Sequence, residues 1–128
     1  LKEKSNRGTY RDTPKYWLDF GNSQYTGQVL LSTVGSIRQP KSQKYETLAK
    51  LPFVTDEFGD LLKQSEQQDD TPSCSLAEAL KKQDLFINSS LTQMGCSLLW
   101  SLFRNGMTLY RGFFLNLKTY QSHPIKVA

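Results

Sequence analysis

Hydrophobic positions along this chain fall into three regimes. Lys15 to Phe20, KYWLDF, is aromatic and apolar and ends at Gly21-Asn22-Ser23, a composition that turns the backbone. Thr26 to Val34, TGQVLLSTV, alternates in part and carries β-branched residues, so the two runs predict strands joined as a β-hairpin. Residues 35 to 72 are mostly polar. Gly35, Pro40 and scattered lysines lead to a helical turn expected around Tyr45 to Leu51 and closed by Pro52. Thr55 to Thr71 is acidic and glutamine-rich, and it predicts an exposed excursion with a short apolar contact at Phe58, Leu61 and Leu62.

The third regime is the most informative. Leu85 to Phe103 runs for nineteen residues without a charge, and Ile87, Leu91, Met94, Leu98 and Leu102 recur at the spacing of one helical face. Leu99, Phe103, Gly95 and Cys96 are expected to widen that face. A helix this free of charge buries most of its circumference and needs neighbours on several sides. The remaining sequence supplies few, so the chain is expected to be one part of a larger architecture. Ser75 with Glu78 three residues later forms a capping box that predicts a helix from Leu76, and Asp84 caps a second start. Arg104 and Gly106 end that second helix. Thr108 to Leu117, TLYRGFFLNL, predicts one or two strands with Gly112 as a bend or bulge, and SHPIKVA predicts an edge strand after Pro124.

The order strand, strand, long excursion, helix, strand, strand predicts an α/β or α+β fold. Residues 1–14 are expected to form a tail and residues 15–128 one domain, with a crossover loop at about 36–72 and a buried helix at about 84–104. Leu1 is not a methionine and the residues after it are polar, so the start is expected to be a cut or processed end.

Composition changes this picture little. At 38% hydrophobic residues the chain carries more polar loop than a tight bundle would. Its net charge of +4 conceals segregation: residues 1–50 hold nine Lys/Arg and four Asp/Glu, residues 51–84 three and eight, and residues 85–128 four and none. An acidic middle between basic flanks can satisfy itself, and the flanks lack the interleaving of arginine with aromatics that a nucleic-acid groove favours. Nucleic acid is therefore not the expected partner. Cys74 and Cys96, twenty-two residues apart, make neither a CxxC pair nor a secreted framework, which points to a reducing, cytoplasmic setting. The uncharged run contains too many Asn, Gln, Ser and Thr residues for a membrane span.

Few residues carry candidate chemistry. His123 is the sole histidine and has no carboxylate near it in sequence, so it is expected to be exposed and idle. Asp19-Phe20-Gly21 copies a kinase metal-binding triplet without the rest of that machinery and is expected to be a strand end meeting a turn. Asn88-Ser89-Ser90 matches a glycosylation sequon but lies within the expected helix. Neither GxGxxG nor GxxxxGK[ST] occurs. Cys96 is expected in the core. Cys74, in Pro72-Ser73-Cys74-Ser75 ahead of a helix start, sits where the helix dipole favours a thiolate. An ordinary thiol beside a helix cap accounts for the same residues.

YWLDFGNSQYTGQV, PSCSLAEALKKQDLFINSSLTQMGCSLLWSLF and RGFFLNLKT together resemble the C-terminal half of the ThiF family, the superfamily of ubiquitin-activating enzymes and their bacterial relatives. The nearest likeness is to the members encoded in PRTRC cassettes of bacterial plasmids and other mobile elements. It extends from about Lys15 to Ala128. The resemblance implies an intact adenylyltransferase that uses ATP and magnesium to activate the C-terminal glycine of a ubiquitin-like protein. It places residues 36–72 at the crossover, and Cys74 resembles the thioester cysteine of the Pro-x-Cys-Thr segment, with Ser75 in place of threonine. The residues that such proteins use on ATP and magnesium would precede Leu1, and the CxxC zinc pairs of many members are absent, so no cofactor is expected on this part alone. A homodimer is expected. The alternative is a non-catalytic docking or dimerisation module that presents the apolar helix face with Trp17, Phe113 and Phe114.

Overall fold

The computed structural model describes residues 13–67 and 82–128. In chain order these form β1 (Tyr16–Asn22), β2 (Thr26–Thr33), α1 (Val54–Gln67), α2 (Ile87–Asn105), β3 (Tyr110–Asn116) and β4 (Gln121–Lys126). The fold is α+β. Its four strands lie in the order β1-β2-β3-β4, each antiparallel to its neighbour.

Strand pairing follows from the turns. Ser23 donates to the Thr26 carbonyl at 2.8 Å and closes the first hairpin. Side chains of a strand alternate between faces, so Val29, Leu31 and their cross-strand partners Phe20, Leu18 and Phe113 share one face. That face receives α2. Val29, Ile87, Leu91, Phe113 and Leu115 form the core, flanked by Leu18, Met94 and Leu117. Two glycines set the approach. A Cβ at Gly27 would collide with Leu91 Cδ1, and one at Gly95 would meet the Phe20 ring and Val29 Cγ1. Gly106, at φ 71°, ends α2 in the left-handed conformation, its N–H bonding the Leu102 carbonyl.

Several expectations change. Tyr45 to Leu51 forms no helical turn. Instead the irregular segment folds back on β2, where the Thr33 amide and hydroxyl both donate to the Leu51 carbonyl at 3.3 Å and the Leu51 amide donates to Thr33 Oγ1 at 2.8 Å. These bonds satisfy buried backbone without a helix. Thr33→Val is expected to strand the Leu51 N–H and to cost about 1–3 kcal/mol in urea unfolding.

From Val54 to Gln67 the acidic stretch after Pro52 is helical rather than an irregular excursion, and residues 68–71 of it lie outside the described residues. Its segment, α1, is kinked at Phe58 (φ −122°), and Phe58 packs edge-to-face on Phe114 with ring centroids 5.3 Å apart. This contact lies on the opposite face of the sheet from α2, because Phe114 and Phe113 are successive strand residues. Leu61 is exposed. The second helix begins at Ile87 rather than at Asp84, and Asp84 Oδ1 accepts the Phe86 amide at 2.8 Å in the turn before it. The bulge expected at Gly112 falls between Tyr110 and Gly112 in the pairing with β4. Asp19-Phe20-Gly21 lies inside β1 rather than at its end, since pairing continues to Asn22.

Candidate functional site

Helix α2 is less buried than its lack of charge predicts. The aliphatic side, with Ile87, Leu91, Gly95 and Leu102, is buried on the sheet. Away from the sheet, Leu85 is 67% exposed, Phe86 64%, Trp100 64% and Phe103 70%. Cys96 is a free, exposed thiol and not a core residue. Phe103, expected to widen the core face, does not. The physical reason is geometric: the sheet covers one side of the helix, and among the described residues no second layer covers the other.

Phe86, Ser89, Gln93, Cys96, Trp100 and Phe103 recur at spacings of three, four, three, four and three, the seam spacing of packed helices. They form one outward stripe. Exposed apolar residues in a contiguous patch mark contact surfaces, whereas isolated ones do not. Of the other aromatics expected to meet a partner, Trp17 is 56% exposed on the α1 side of the sheet, but Phe113 is buried and Phe114 is engaged by Phe58.

A second feature is the outer edge of β1. Val34 donates to the Lys15 carbonyl at 2.9 Å and Ser23 to the Thr26 carbonyl at 2.8 Å, and the register between them is continuous. Antiparallel pairing alternates bonded and non-bonded positions. Trp17, Asp19 and Gly21 therefore bond toward β2, and the N–H and C=O groups of Tyr16, Leu18, Phe20 and Asn22 point outward. The two edges of the sheet differ. Strand β4 carries Pro124 and Lys126 and sits beside a bulge, devices that block further pairing, whereas β1 contains no proline, lysine or bulge.

At the end of β2 a cleft lined by Leu31, Leu51, Leu102, Met107 and Val127 continues past Glu46 into an opening of about 230 Å³ beside Tyr110 and Lys126. Glu46 and Lys126 bring opposite charges to its rim. Thr108 is committed locally, donating to the Tyr110 carbonyl at 2.9 Å. No nucleophile paired with a base lines this cleft. His123 is exposed on β4 opposite Phe114, as expected. Cys74 and the Ser75–Glu78 capping box lie outside the described residues.

One charged contact escaped the sequence reading. The bulge at Arg111 lets its side chain reach α1, where Nη2 donates to Glu57 Oε2. The Arg111 side chain is 6% exposed and that of Glu57 37%. Separated by fifty-four positions in sequence, the two residues offered no local signal of pairing. Among the described residues no group of three His, Cys, Asp or Glu side chains is placed to hold a metal ion, and no helix is long and apolar enough to cross a membrane. No protein-family model, curated protein or solved structure matches this chain.

Proposed function

We propose that this chain is the sheet-completing part of a ThiF-like activating protein, the intact form of which adenylates a ubiquitin-like partner with ATP and magnesium. The observation that carries the reading is the outer edge of β1, which no other strand among the described residues pairs. Four outward backbone positions, on a strand without any blocking device, suit a sheet that continues into a further α/β layer. The resemblance implies a hairpin, a crossover and then a helix with closing strands for the C-terminal half of that family, and the reading takes the succession seen here as that half. The nucleotide-binding half supplies the phosphate site in this reading, since this sequence has no phosphate loop.

Cys74 is the proposed thioester acceptor. Its thiolate attacks the carbonyl carbon of the acyl adenylate, a C–S bond forms, the C–O bond to phosphate breaks, and AMP leaves with the electron pair. The test mixes the intact activating protein, ATP and the ubiquitin-like partner. A thiol-reducible adduct is expected, and it should vanish in Cys74→Ser. An adduct unchanged by that substitution removes Cys74 from the mechanism. Amide exchange tests the sheet itself: Tyr16, Leu18, Phe20 and Asn22 should be protected in the intact protein and fast in this chain alone, and fast exchange in both rejects the continued sheet.

The exposed aromatic stripe of α2 favours a second reading, in which this part is a docking or dimerisation module without catalytic duty. In that case the adduct fails to form while partner binding survives, and Trp100→Asp abolishes the binding.

A further inference from the structure

We infer that the cleft at the end of β2 binds a free α-amino acid with an apolar side chain, its ammonium group held by Glu46 and its carboxylate by Lys126. The inference stands apart from the activating reading, because it makes no use of Cys74 or of the β1 edge.

Size and lining set the ligand class. The opening of about 230 Å³ and the adjoining cleft share Glu46, Thr108 and Val127, so they form one depression. That volume falls short of the ~300–1,000 Å³ of sites for drug-sized ligands, which points to a smaller molecule. Buried Leu31, Leu51 and Leu102 make the floor, with Met107 beside them. An apolar side chain entering there exchanges water for apolar surface.

Charge sets the rest. Glu46 and Lys126 line the same opening, yet neither has an ion-pair partner among the described residues. A carboxylate and an ammonium held apart across one pocket are complementary to a molecule that carries both charges itself. The Thr108 hydroxyl does not compete for such a ligand, since it donates to the Tyr110 carbonyl at 2.9 Å and accepts the Tyr110 amide at 3.2 Å.

Both charges also stand on anchored backbone. Just before Glu46, the Ser42 hydroxyl accepts the Lys44 and Tyr45 amides at 3.2 and 3.0 Å. Lys126 pairs with Tyr110, and the next amide, that of Val127, donates to the Leu109 carbonyl at 2.9 Å. Binding therefore orders little of the chain, and less entropy opposes it.

The experiment is a titration of the full chain with L-leucine, followed by the amide shifts in proton–nitrogen NMR. Saturable shifts at Glu46, Tyr110, Lys126 and Val127 are expected, with a Kd of about 1 mM, as a ligand of this size allows. Glycine should bind at least about tenfold more weakly, since it brings no side chain to the apolar floor. Glu46→Gln should weaken leucine about fivefold, the upper end for an exposed ion pair, and should not weaken N-acetyl-leucine, which has no ammonium group. Lys126→Gln should weaken leucine by a similar factor and should not weaken leucinamide, which has no carboxylate. Both residues are exposed, so the amides of core Val29 and Ile87 should keep their shifts in either variant. No saturation by about 20 mM leucine, shifts spread over the sheet away from the cleft, or a variant that weakens all three ligands alike overturns the proposal. N-acetyl-leucinamide binding as tightly as leucine also overturns it, and would assign the cleft to an internal stretch of peptide.

Discussion

Leu91→Ala is expected to lower the unfolding free energy by about 2–5 kcal/mol, the range for emptying a packed leucine site. Leu91 is 3% exposed and belongs to the core cluster that joins α2 to β2 and β3. Its Cδ1 lies against Gly27, where β2 has no side chain, so its removal opens a void directly over the backbone. Neighbouring side chains cannot collapse into that void without shifting the strand. Gly27→Ala is expected to destabilise for the opposite reason, by driving a Cβ into Leu91 Cδ1 and to within 2.7 Å of the Gly21 carbonyl oxygen. Combining the two should recover part of the loss, because the new methyl enters the space that Leu91 vacated. The recovery stays incomplete, since the Gly21 carbonyl belongs to the backbone and does not move aside. Urea unfolding of the four species measures the coupling, and additive losses would reject this account of the contact.

Glu57→Ala is expected to cost more stability than Arg111→Met, although both delete the same ion pair. Removing the carboxylate leaves a guanidinium that is 6% exposed without its counter-charge, and stranding a buried charge is the expensive way to break such a pair. Because Glu57 is 37% exposed, solvent screens the pair, and about 2–3 kcal/mol is the expected loss. Arg111→Met instead removes the buried charge along with Nη1, a buried donor that has no hydrogen-bond partner among the described residues. Its cost should fall below about 1 kcal/mol, because an apolar side chain of similar length often substitutes for a buried ion without loss. Equal losses in denaturant unfolding would show that the charge, not its burial, governs the contact. Loss of α1 from the sheet should accompany Glu57→Ala as faster amide exchange over residues 54–60, with Phe58 on Phe114 and the buried Val54 left to hold this helix down.

The α2 stripe illustrates why exposure could not be read from composition. Helical periodicity in Leu85 to Phe103 picks out Ile87, Leu91, Met94, Leu98 and Leu102, and the structure turns this side toward the sheet. The same run contains a second apolar stripe in Phe86, Trp100 and Phe103. With no charge to mark an outer face, both stripes qualify as core, and periodicity places Cys96 and Phe103 on the buried side where the structure exposes them. The sheet takes the aliphatic side because Gly95 lets the backbone come close to Phe20 and Val29. Trp100 and Phe103 are too bulky for that approach.

Alternation and a short polar connection by themselves determined the β1–β2 hairpin, though its turn falls at Ser23–Thr26 and Gly21 and Asn22 are paired within β1, and the uncharged run together with Gly106 determined a long helix and its end. These are local properties, written within a few residues. Tertiary structure alone decided which side of α2 meets the sheet, that residues 54–67 form a helix on its opposite face, and that Arg111 finds Glu57. Each of those depends on surfaces brought together from distant positions, where packing and desolvation outweigh local preference.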